Sequence, residues 1–344
     1  LVRERAPNSL TLMKILFNMP FELSADQRAA LQNDWPDFEL VEQSESDVEK
    51  LNGQDVAVLV TESVPRDLSG WKELQWVQLL SAGSNQLRGH PVWETPVRVT
   101  NASGIHGVPI AQYITVAWLM MIHRMSELMK FKPSRVWPNR AALANTVVRG
   151  MTVGIIGYGA IGRESARQLS ALGMRVLCLK RDPADRPHRG FNPEPGSGDP
   201  EGTIPSEWFT PDQIGDMLPQ CDLVVVTVPS TPQTEGMIGA TELALMKSGS
   251  RMIIISRGGI VNEAALADAL RSGPLAEATV DCFVKEPLPK DHFFYDVPNL
   301  TITPHMSGVF DQYWPVLFKL LLANLRNFKS NEPLLNEVNR KVGY

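Results

Sequence analysis

Apolar residues in this chain come in short blocks separated by polar, glycine- and proline-containing stretches. The first block, "MKILFNM" (residues 13–19), is followed by "SADQRAALQNDW", a helix-like pattern with Ser24 placed to cap its N-terminus. The blocks "FELVEQ" (38–43), "DVAVLV" (55–60), "LQWVQLL" (74–80) and "VRVTNA" (97–102) recur with helical or loop segments between them. Strands alternating with helices predict an α/β domain with a largely parallel sheet. A helical period over about 108–130 opens a second set: "TVGII" (152–156), "RVLCL" (175–179), "DLVVVTVP" (222–229), "SRMIIISR" (250–257), "EATVDCF" (277–283) and "LTITPH" (300–305). These are continuous apolar runs, the form strands take when helices cover both faces of a parallel sheet. The last period, "FDQYWPVLFKLLLANLRNF" (310–328), reads as a helix that returns to the first domain. The expected division is therefore one discontinuous domain, 1–107 with 308–344, and a second of 108–307.

Composition narrows this picture. The 344 residues suit two domains better than one, and 43% hydrophobic with 21% charged is the balance of an ordinary globular chain. A net charge of -5 argues against nucleic acid or an anionic membrane as the main partner. Cys178, Cys221 and Cys282 sit in separate apolar runs without paired spacing and are expected to be buried, inert thiols. The longest apolar run, "ITVAWLMMI" (114–122), falls short of the roughly 20 residues that span a bilayer. Lys14 interrupts the apolar start, so residues 1–12 are read as an extension ahead of the first strand and the cytoplasm as the default location. Residues 183–208, rich in Pro and Gly with no apolar period, are expected to form a surface loop.

Chemistry enters at "GYGAIG". Gly157, Gly159 and Gly162, with Tyr158, Ala160 and Ile161 between them, follow a strand and open a helix, the context a dinucleotide-binding turn requires. The first glycine makes the turn and the second admits a pyrophosphate. The third lets helix and strand pack closely, and the helix N-terminus offers free N–H groups to the anion. The next strand ends in "LCLKRDP". Enzymes using NAD place Asp or Glu there, about 20 residues past the turn, to accept hydrogen bonds from the ribose hydroxyls. This chain has Lys180 and then Arg181, which have donors only. Two cations suit the 2′-phosphate of NADP, with NAD the weaker cofactor. The competing reading has Asp182 swing in as the ribose acceptor, although Pro183 biases it toward an extended exit.

The segments "SRGGIVNEAAL" (256–266), "DCFVKEPLP" (281–289), "TPHMSG" (303–308) and "TVPSTPQTEGMI" (227–238) join the glycine turn in one order along the chain. Together they resemble the D-isomer-specific 2-hydroxyacid dehydrogenases, and the likeness runs from "LLSAGSNQL" near residue 80 to the final segment. The resemblance implies a Rossmann-type doubly wound parallel sheet, a discontinuous flavodoxin-like α/β substrate domain, and a homodimer. It places the catalytic arginine, glutamate and histidine on Arg257, Glu286 and His305. Arg257 offers a charged fork to a substrate carboxylate and carbonyl, His305 a proton near working pH, and Glu286 a carboxylate that holds the imidazole and favours its charged form. Ser81, Ala82 and Gly83 match the loop whose amides help bind the substrate carboxylate. Asp281 matches a contact of the nicotinamide carboxamide. Thr227, Val228, Pro229 and Ser256 fall on the cofactor's lining. Gln112 stands where many relatives have glutamate, outside the active-site motifs. His106, expected near the cleft, reads as structural or surface, and no metal-ligand spacing occurs. The function implied is reduction of a small 2-oxo acid, glyoxylate- or hydroxypyruvate-like, by NADP(H). A dinucleotide-sensing co-regulator of the same fold is the alternative.

Overall fold

The structure is a computed structural model that describes residues 12–143 and 145–340, so all but Leu12 of the expected N-terminal extension lies outside the described residues. Two compact units emerge: residues to Ser103 with those from Trp314 onward, and Gly104–Tyr313.

The first unit is a five-stranded sheet of β1 (Met13–Asn18), β2 (Phe38–Gln43), β3 (Val56–Thr61), β4 (Trp76–Leu79) and β5 (Arg98–Thr100) in the order β2-β1-β3-β4-β5. Every pairing is parallel. This is the flavodoxin-like strand order, and all six residues of central β3 are buried because both faces are covered. Helix α1 (Ala25–Asp34) starts as its sequence predicts, with Ser24 and Gln27 closing a reciprocal capping box. The helix Tyr313–Lys329 contributes its later turns to this sheet. Asn324 donates to buried Gln78 at 3.2 Å, and Phe328 lies over Trp35 and Trp76.

The second unit holds β6 (Thr152–Ile156), β7 (Arg175–Leu179), β8 (Glu207–Phe209), β9 (Leu223–Val226), β10 (Ser250–Ile254), β11 (Leu275–Val280) and β12 (Leu300–Ile302) in one parallel sheet ordered β12-β11-β10-β9-β6-β7-β8. Numbered within the unit this is the doubly wound order 3-2-1-4-5-6 with one further strand. Alternate residues of β9 explain its unbroken apolar run. Val224 and Val226 join the core on one face, and Leu223 and Val225 join the core on the other.

Two expectations are corrected. The helix expected over 108–130 is α2 (Gly107–Ile122), followed by single turns at Met125–Leu128 and Phe131–Ser134. The break falls at Arg124, whose φ of 53° is left-handed and cannot continue a right-handed helix. The 183–208 segment is not loop throughout, since its end enters β8 and pairs with β7 at the sheet edge. Three residues are too few to show a period. The loop is also fastened from within: buried Asp199 accepts hydrogen bonds from Thr203 N, Ile204 N and the Tyr158 hydroxyl, while its carbonyl takes Arg163 Nη1. Among the described residues no helix is long and apolar enough to cross a membrane. The three cysteines are free and buried, and burial pushes the thiols of Cys221 and Cys282 up to about 12.

Candidate active site

The glycine turn lies between β6 and helix α3 (Ala160–Ala171). Gly157 has a φ of 100°, and a Cβ there would press on Thr227 Oγ1 and Val228 at 2.9 Å. A Cβ on Gly162 would meet the Gly157 carbonyl at 2.2 Å, so the first turn of α3 sits against the strand end only because that residue is glycine. Gly159, in contrast, faces open space, and no side chain caps α3. That open, uncapped helix start leaves its backbone N–H groups free to receive an anion. Thr227 donates to the Gly157 carbonyl at 2.9 Å and Gly157 N donates to Leu179 O, so the turn, Thr227 and Val228 and the end of β7 are one packed group. Pro229 closes the next turn by accepting from Thr234 at 2.6 Å.

Lys180 follows β7 directly. Its ammonium donates to the Asp185 carbonyl and lies 3.7 Å from the Asp185 carboxylate, which also pairs with Arg189 at 3.5 Å. Arg181 is exposed beside it. Asp182 accepts from Ala184 N at 3.0 Å, a local turn bond. Lys180's acidic partner is thus Asp185, a pairing that sequence reasoning did not consider.

Arg257, Glu286 and His305 stand on loops after β10, β11 and β12, at the carboxyl ends of neighbouring strands. Glu286 bridges two of these loops' elements: Oε1 accepts from Phe283 N at 2.8 Å, and Oε2 lies 2.8 Å from His305 Nδ1. With Nδ1 held by the carboxylate, Nε2 is the ring nitrogen left for a reacting oxygen. The backbone at Gly258 packs so closely on Phe283 that a Cβ would sit 2.1 Å from its carbonyl carbon, drawing the Arg257 loop onto the Glu286 loop. Arg257 itself donates to Ser256 O at 2.7 Å. His106 belongs to the same region. Burial and then the charge of Arg257 push it down to about 4, and its ring meets Phe310 and Tyr313, so it is neutral at ordinary pH.

Asp281 directly follows β11. It is 1% exposed, and both carboxylate oxygens are engaged by the His305 turn. Ser81, Ala82 and Gly83 lie in the other unit, on the turn after β4, where Ser81 Oγ donates to Gly83 O at 2.8 Å. Among the described residues no group of three or more His, Cys, Asp or Glu is placed to hold a metal ion.

Residues 115–307 match the family described as D-isomer specific 2-hydroxyacid dehydrogenase, NAD binding domain. The chain belongs to this family. A putative 2-hydroxyacid dehydrogenase of Haemophilus influenzae is 26% identical over 92% of this chain and 98% of its own. A glyoxylate reductase of Thermococcus onnurineus is 30% identical over 73% and 70% of the two chains. The D-isomer specific 2-hydroxyacid dehydrogenase of Xanthobacter autotrophicus, solved with NADPH and MES, superposes with a TM-score of 0.79 over 97% of this chain and all of that one, at 24% identity. Family membership makes the chain an oxidoreductase of 2-hydroxy acids that binds a nicotinamide dinucleotide.

Proposed function

We propose that this protein reduces small 2-oxo acids, glyoxylate- or hydroxypyruvate-like, to D-2-hydroxy acids, with NADPH preferred over NADH. The observation that carries the reading is the 2.8 Å His305–Glu286 pair on strand-end loops next to the Arg257 loop, in the unit that bears the glycine turn. Arg257 holds the substrate carboxylate and draws on the carbonyl oxygen through its planar fork. His305 gives its Nε2 proton to that oxygen as it gains charge, and Glu286 fixes the ring through Nδ1 and balances the imidazolium. A reduced nicotinamide dinucleotide, held by the glycine turn, would supply the hydride that the carbonyl carbon takes up. Ser81, Ala82 and Gly83 would add amide donors to the substrate carboxylate. On the cofactor side, Gly157 to Gly162 would cradle the pyrophosphate and Lys180 with Arg181 would meet the 2′-phosphate. Thr227, Val228, Pro229 and Ser256 would line the dinucleotide, and Asp281 would reach the carboxamide.

The glyoxylate reductase name of the Thermococcus relative and the NADPH in the Xanthobacter structure support the first choices of substrate and cofactor. A homodimer is the proposed assembly. It is supported by an apolar face on the segment after α2, where Trp137 is 92% exposed and Val136 52%. The test is oxidation of NADPH and NADH across a panel of 2-oxo acids. Turnover of a small 2-oxo acid supports the reading. Tight NADPH binding without turnover of any acid overturns it in favour of a dinucleotide-sensing co-regulator.

A further inference from the structure

His305 sits in an unusual backbone shape. Its φ is 52°, in the left-handed region that residues other than glycine seldom adopt. Such a turn persists only where its surroundings over-determine it. Here three hydrogen bonds flank the histidine, and all three end on one carboxylate. Thr303 Oγ1 reaches Asp281 Oδ1 at 2.5 Å, Met306 N reaches the same oxygen at 2.9 Å, and Ser307 N reaches Oδ2 at 2.9 Å. An ionised carboxylate only accepts, so the Thr303 hydroxyl must donate to it. That leaves the Thr303 oxygen to accept, and the Tyr113 hydroxyl stands 2.6 Å away on α2.

We infer that Asp281 is the positioning residue of His305, with Thr303 and Tyr113 tying the His305 turn to α2. This goes beyond a carboxamide contact for Asp281, and it rests on His305 being the proton donor of the proposed function. A proton donor displaced by even 1 Å can lose about 100-fold in rate. The Asp281 carboxylate is buried and bonds to the main chain and hydroxyl of the turn, while Glu286 reaches the imidazole, so the two carboxylates divide the labour. Asp281 sets the backbone of residues 303–307, and Glu286 sets the ring.

The decisive variants are Thr303→Val, which exchanges one hydroxyl for a methyl at nearly constant shape, and Thr303→Ser, which restores the hydroxyl. Asp281→Asn and His305→Ala accompany them in the full-length chain. Each is assayed for kcat and KM with a 2-oxo acid, for the pH dependence of kcat, and for NADPH affinity by fluorescence titration. Thr303→Val should lower kcat about tenfold and Asp281→Asn about 100-fold, while Thr303→Ser stays near wild type. In both damaged variants the pH at which reduction fails should move down, because His305 no longer rests against Glu286. NADPH affinity should change less than about twofold in Thr303→Val. The inference is overturned if Thr303→Val keeps wild-type kcat and pH profile, or if Asp281→Asn loses only NADPH affinity. Full activity in His305→Ala would instead remove the proton-donor reading itself. An inactive His305→Ala beside an unaffected Thr303→Val removes the positioning role alone.

Discussion

The two nitrogens of His305 have different neighbours, and that asymmetry makes the residue-scale predictions sharp. His305→Ala should lower kcat for 2-oxo acid reduction by about 100-fold or more, measured by NADPH oxidation. Glu286→Gln keeps the hydrogen-bonding shape but removes the charge beside Nδ1, so reduction should fail at lower pH than in the wild type. Arg257→Lys keeps a cation and loses the fork; KM should rise and kcat fall together. At the adenosine end, charge-assisted bonds to a 2′-phosphate are worth about 1.5–3 kcal/mol each. Asp185 already faces Lys180 and Arg189, so a phosphate must compete with it. The expected NADPH preference is therefore about tenfold, weaker in high salt. Lys180→Asp with Arg181→Ala should reverse the order of cofactors, and equal use of NADH and NADPH by the wild type would defeat this assignment. The residues proposed for catalysis were legible because each follows an apolar run within a recognisable motif. Asp185 was not, since a carboxylate in an aperiodic loop gives no sign of which cation it will meet. His106 was legible as a histidine near the cleft, but not as one buried in the field of Arg257, which appears only in the fold.

Elements tell a similar story about what a pattern can and cannot reveal. The βαβ unit around the glycine turn and the covered strands were visible because period and length agree. The 183–208 segment looked like solvent-exposed loop because its composition is dominated by turn formers. Composition does not distinguish the one carboxylate that is buried. Burial works against the charge of Asp199, but the amides of Ile204 and Thr203 and the Tyr158 hydroxyl outweigh it and hold the group below the usual carboxylate range. A carboxylate with a depressed folded value stabilises above the unfolded range and loses that contribution as pH falls through the folded value. Asp199→Ala should therefore cost about 3 kcal/mol at pH 7 in urea denaturation, because it strands several buried donors. The difference from wild type should close as the pH drops below about 4. An unchanged midpoint at pH 7 would mean the loop is not fastened through this residue.

For the whole molecule, strand order was not explicit in the sequence, although parallel runs joined by helices restrict it severely. The exposed face after α2 lies beyond the helix expected over 108–130, in a stretch whose sequence gives no period. Val136 and Trp137 stand exposed there. Trp137→Glu should convert the proposed dimer to a monomer in sedimentation velocity, and an unchanged mass would place the contact elsewhere. The discontinuity of the first unit bears on how the chain is made. Trp35, Trp76 and Gln78 emerge early from a ribosome, yet Phe328 and Asn324 arrive only after Gly104–Tyr313 has been synthesised. At 5–20 residues per second this interval lasts roughly 10–40 s. The later unit can close on its own as it leaves the exit tunnel, whereas the earlier one must wait half-clothed, with its sheet open to chaperones or to other nascent chains.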